Sequence, residues 1–190
     1  TGTVIIEDSQ ILDTARYNND DHGLCVKDSR VVVSNTLFSG IGDDPNQREF
    51  AIFIGGATSD VRLSGLRLEN NIYNQVALSP DALTGHDLTL NAQPAMDGYR
   101  LLREGDIVVP QGVTLTVEPG VMVRVGAVND PWASLVVRGH LQAVGAEAAP
   151  IIFTSPWDSG PYEWAGITFD GGTGTLRHAI VRNSGTASYG

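Results

Sequence analysis

The sequence predicts an all-β solenoid, a chain wound repeatedly on itself, and three observations carry that prediction. Within residues 105–156, four short apolar runs (107–109, 113–117, 121–125 and 135–137) follow one another, each closed by a nearby Gly or Pro. Their residues are β-branched or alternate apolar with polar, as strands require. No part of this region repeats every 3.6 residues, so no helix is at hand to serve as a crossover. Similar strands also recur upstream, starting at 23, 51 and 75, which are intervals of 28 and 24 residues, a coil-sized period.

Taken in order, residues 4–11, 31–37, 61–68 and 88–90 read as strands of one type, and 23–26, 51–54, 75–78 and 166–169 as strands of another. Alternation assigns the faces. In the second type Leu24/Val26, Ile52/Ile54, Val76/Leu78 and Ile167/Phe169 point to the axis, and Cys25, Phe53, Ala77 and Thr168 point outward. Coils stacked ~4.8 Å apart would turn the inward sets into apolar ladders. An outward Phe53 predicts a covering loop or a partner. Residues 92–103 fit the pattern least well and mark a junction, so the chain divides into halves 1–97 and 98–190 of one continuous solenoid. The polar insertions at 39–50, 127–133 and 157–162 fall where solenoids build binding faces.

Four stretches resemble a known family: GVTLTVEPGVMVRV (112–125), LVVRGHLQAVGAEAAPIIFTS (135–155), WAGITF (164–169) and LRHAIVRNSG (176–185). They are similar to the opening coils of right-handed parallel β-helix modules in bacterial secreted and surface proteins. Residues 98–185 match closely, and residues 1–92 resemble the looser later coils. The resemblance implies a right-handed parallel β-helix at an extracellular or cell-surface location. It leaves activity open, because enzymes, adhesins and structural stalks share this coil.

Composition narrows the partners. A formal net charge of −10 disfavours nucleic acid and anionic membrane. No apolar run approaches the ~18 residues of a membrane span. The single cysteine, Cys25, excludes an internal disulfide. The chain starts within a strand and reads as excised from something longer.

Candidate chemistry is sparse. A lyase or hydrolase on this scaffold would need converging carboxylates, or carboxylates around Ca²⁺ with a base beside them. Asp20, Asp21 and Asp44 are the catalytic candidates, Asp20 and Asp21 lying beside His22. Adjacent strand residues point to opposite faces, however, so this cluster reads more simply as a solvated turn. Asp43 and Asp44 could offer oxygens to Ca²⁺, or could simply bond the backbone of their own turn. Four histidines are too scattered for a zinc site. Thr114 and Thr116 share a face, but one rung makes no ladder. Trp157, Tyr162 and Trp164 could stack on sugar rings, or could pack over the solenoid flank.

The function expected from these features is a non-catalytic structural or adhesive module of a large extracellular protein. The alternatives are a polysaccharide lyase or glycoside hydrolase, and a carbohydrate-binding module built on Trp157, Tyr162 and Trp164. Both ends read as β-helix interior, so the expected partners are further copies stacked end to end. The 47 residues from Gly166 to Gly23 of a following copy span nearly two coils of ~24, which suits a head-to-tail filament.

Overall fold

The computed structural model describes residues 2–14, 21–45, 48–102, 107–126 and 132–185. Short β-branched runs broken by left-handed bends fold into a parallel β-solenoid of about six turns. The first strands are β1 (Thr3–Glu7), β2 (Gln10–Leu12), β3 (Leu24–Lys27), β4 (Arg30–Ser34), β5 (Leu37–Ser39), β6 (Phe50–Gly55), β7 (Asp60–Ser64), β8 (Arg67–Glu69) and β9 (Tyr73–Leu78). A 3-10 turn at Pro80–Leu83 follows. Then come β10 (Leu88–Leu90), β11 (Tyr99–Leu101), β12 (Ile107–Val109), β13 (Thr114–Val117), β14 (Met122–Val125) and β15 (Ser134–Val137). The last are β16 (His140–Val144), β17 (Ile151–Thr154), β18 (Gly166–Phe169), β19 (Thr173–Arg177) and β20 (Ala179–Val181).

One sheet runs the whole length, in the order β20-β17-β14-β11-β9-β6-β3. In this spine Leu24, Ile52, Val76, Tyr99, Val123, Phe153 and Val181 stack in one register. Ile52, Val76, Val123 and Phe153 are fully buried, and each such side chain contributes about 1.5–3 kcal/mol. The stacking of Leu24, Ile52 and Val76 at one core position is as the sequence predicts.

The other sheets do not run through. Early coils carry β1-β4-β7 and β2-β5-β8; late coils carry β12-β15-β18 and β10-β13-β16-β19. The exchange falls between β9 and β11. There Pro80–Leu83 contacts both β6 and β12, and β10 lies beside β7 without pairing to it. Asn91 and Gln93 bridge that gap: Asn91 Nδ2 donates to the Leu63 carbonyl at 2.7 Å and Gln93 Nε2 to the same oxygen at 3.1 Å. The longer connections change corner as well. Early ones lead into the spine, as at 40–49, and late ones lead out of it, as at 155–165.

Two expectations need correction. Gly166–Phe169 is not a spine strand: Ile167 and Phe169 pair with Leu135 and Val137 in a lateral sheet. They still face the interior, which is why alternation alone could not separate them from the spine set. The count from Gly166 to Gly23 therefore joins unlike sheets and carries no phase. The runs 31–37 and 61–68 are two strands each, bent at Asn35 and Gly65. Asp8, Asn35 and Gly65 have φ of 48°, 47° and 61° and stack, with Asp8 N donating to the Ser34 carbonyl and Asn35 N to that of Ser64. Gly, Asn and Asp are the residues that tolerate this left-handed bend.

Candidate functional site

Two loops that carry sequence-predicted residues, around 43–45 and 155–165, lie against the outer face of the spine. Its outward ladder reads Cys25, Phe53, Ala77, Arg100, Arg124 and Thr154. On the early coils the loop before β6 folds against this face. Glu49 is buried, and its Oε2 accepts from Asp43 N at 2.9 Å and Asp44 N at 3.2 Å. The turn holding Asp43 and Asp44 is thus tied down by a carboxylate acting as a cap. Among the described residues, no group of three or more His, Cys, Asp or Glu side chains could hold a metal ion, so Asp43 and Asp44 form no such cluster. Asp20 lies outside the described residues. Asp21 is half-buried beside His22, whose Nδ1 accepts from Phe50 N at 3.3 Å.

Phe53 has the cover its outward position called for. The His22 ring lies flat on it, 4.6 Å between centroids and 4° between planes. Phe50 and Tyr73 stack at 5.2 Å next to it. With Ala77 and Leu102 they form a second apolar cluster outside the solenoid core. Sequence reading missed Phe50 and Tyr73, because β6 and β9 carry a register irregularity between Phe50 and Ile52 that simple alternation does not anticipate.

On the late coils the cover is polar. Loop 155–165 is held by Asp158, which accepts from Thr154 Oγ1 (2.7 Å), Arg182 Nε (2.7 Å) and Asn183 Nδ2 (2.8 Å), with a second bond from Arg182. Burial works to raise the Asp158 pKa. The Arg182 and Thr154 hydrogen bonds and the charges of Arg182 and Arg124 outweigh it and hold the carboxyl below its usual range. Glu163, likewise held low, accepts from the Ser155 and Ser159 hydroxyls.

This loop settles where its aromatics go. Trp164 is fully buried in the core, its Nε1 donating to the Arg182 carbonyl at 2.7 Å, so it leaves the proposed sugar platform. Alternation back from Ile167 would place Ala165 inward. Gly166, at φ 102°, breaks that alternation and turns the indole in. Trp157 and Tyr162 remain, 46% and 54% exposed. Of the 127–133 insertion, only residues 132–133 are described.

The two end faces are the other notable surfaces. On the first coil Val4 stacks on buried Val31 yet is 54% exposed, and a cavity of about 340 Å³ opens among Val4, Leu24, Val26 and Val31. On the last coil the interior-facing Phe169, Leu176 and Val181 are 40–45% exposed. Among the described residues no helix is long and apolar enough to cross a membrane. Comparison of the chain with protein families, with curated proteins and with solved structures finds no match.

Proposed function

We propose that this chain is a non-catalytic structural or adhesive segment of a large extracellular solenoid, and that it works by stacking end to end with further copies of itself. The observation that supports this reading is the pair of open end faces. Elsewhere in the solenoid, interior ladder residues such as Val33, Leu135 and Phe153 are fully buried, whereas Val4 on the first coil and Phe169, Leu176 and Val181 on the last are not. Each end also presents a strand edge, β3 at one and β20 at the other, able to template a further parallel strand. In the stack, β1 of one copy would sit on β19 of the next and β3 on β20. The molecule already contains a lateral junction of this kind, where β7 abuts β10 through Asn91. A face-to-opposite-face contact does not close on itself, so it propagates as a filament.

These side chains are already about half covered, so covering the rest would contribute about half of the ~1.5–3 kcal/mol of a full burial, or roughly 1 kcal/mol each. Sedimentation velocity over a concentration series tests the reading. The wild-type chain should associate as concentration rises. Val4→Asp and Val181→Asp, each confirmed as folded by circular dichroism, should stay monomeric. A wild-type chain that remains monomeric at high concentration would overturn it.

A further inference from the structure

We infer that the groove along the outer face of the early spine strands is an oligosaccharide-binding site, with Lys27, Arg48, Asp28 and Asp81 as polar contacts and Phe53 under His22 as its wall. The groove encloses about 400 Å³, within the ~300–1,000 Å³ of small-ligand sites. Its lining comes from four successive coils, at residues 22–28, 48–56, 79–81 and 102. At ~4.8 Å per coil it extends roughly 14 Å along the axis, enough for a short oligosaccharide.

The chemistry of the lining selects among ligand classes. Asp28 Oδ1 accepts from Thr58 N at 3.2 Å and Thr58 Oγ1 at 3.0 Å. Asp81 accepts from Gly56 N at 3.0 Å and from the Ser79 hydroxyl. These bonds hold both carboxylates in place and leave lone pairs over. The Ser79 hydrogen bond, against some burial, keeps the Asp81 carboxyl below its usual pKa, so it remains an acceptor. Opposite charges share the groove: Arg48 lines it, and Lys27 Nζ sits 5.7 Å from the Phe53 centroid. A simple anion would meet Asp28 and Asp81, and a simple cation would meet Lys27 and Arg48. Adjacent sugar hydroxyls both donate and accept, so they can pair with carboxylate and ammonium groups in one groove. A neutral or mixed-polarity saccharide therefore fits where a bare ion does not.

Cys25 is exposed and lines the groove, so the protein carries its own reporter. The experiment is the alkylation rate of Cys25 in the full chain, measured with a panel of cello-, xylo-, chito- and galacturono-oligosaccharides. Citrate and spermidine serve as charge controls. A bound saccharide at about ten times its Kd should slow alkylation about tenfold. Lys27→Ala and Asp28→Asn should each abolish the protection; Asn tolerates the left-handed backbone of Asp28, where φ is 49°. Trp157→Ala should leave it unchanged. The inference is overturned if no saccharide of the panel protects, if citrate or spermidine protects equally, or if protection is lost in Trp157→Ala. The monomeric Val181→Asp variant should be protected like the wild type, so this result and that for end stacking are read separately.

Discussion

On the early half of the spine the outer face is covered by rings, and on the late half by charged and hydroxyl groups. His22, Phe50, Phe53 and Tyr73 pack face to face over β6 and β9, whereas Arg124, Thr154, Asp158 and Arg182 weave a hydrogen-bonded cover over β14 and β17. Between them sits Arg100, 2% exposed, its Nε donating to Gln75 Oε1 at 3.2 Å and its guanidinium 5.5 Å from the Tyr73 ring. Burial pulls its pKa down to about 10, so it stays charged at neutral pH, and both of these contacts are with the early half. Beneath, the inward ladder is aliphatic or aromatic throughout. The inner face is under one constraint, the exclusion of water from a continuous core. The outer face has only to be covered, and chemically different loops do that equally well.

The largest expected effect comes from breaking what the halves share. Val123→Asp puts an unpaired charge between Tyr99 and Phe153, and such burials exceed about 4 kcal/mol. Because neighbouring coils template one another, the cooperative unfolding transition should collapse in both halves together. A variant that loses structure in one half only, by hydrogen exchange, would show that the halves fold independently.

The covers should part under milder perturbation. Phe50→Ala removes a buried ring and should cost about 3 kcal/mol, with faster exchange in 40–45 and 73–78 and none of that change in 155–165. Asp158→Ala should cost about 1–2 kcal/mol and loosen 155–165 together with 182–183, which donate to it, while leaving 40–45 and 73–78 unchanged. Acid separates them further. The Asp158 pKa is depressed in the folded state, so its contribution is complete above the ordinary carboxylate value near 4. It is lost as pH falls through the lower folded value. Exchange in 155–165 should therefore accelerate below about pH 4 in the wild type, and by less in Asp158→Ala, where only the depressed Glu163 carboxyl still links the loop to acid. Equal acid responses of the two proteins would remove Asp158 from this role.

The smallest effect tests the bends. Gly65 sits at φ 61°, and a Cβ there would lie 2.6 Å from Asn35 Oδ1. Gly65→Ala should cost about 1–2 kcal/mol from the left-handed backbone alone, measured by urea unfolding, while Asn35→Gly should change stability by less.

Much of the fold was legible because a solenoid repeats its constraint. Leu24, Ile52 and Val76 fill one interior position in successive coils, so strand alternation and the coil period together reveal it. The sheet exchange near Pro80–Leu83 was not legible: 88–90 alternates as 31–37 and 61–68 do and reads as the same strand type, yet β10 pairs with β13 and not with β7. The candidate site was less legible. Trp164 looked like its exposed neighbours Trp157 and Tyr162 until Gly166 turned it inward. That Glu49, five and six residues on, caps the backbone amides of Asp44 and Asp43 could not be read from residue type and spacing.

The sequence by itself determined the all-β class, the parallel coil, the inward ladder and the need for something over Phe53. Each of these follows from residue type and period, which are local properties repeated many times. Only the tertiary structure decided which sheet 166–169 joins, where the loops change corner, and that Lys27, Arg48, Asp28 and Asp81 line one groove. Those residues come from different coils, and their meeting depends on how far each connection carries the chain around the axis before the next strand begins.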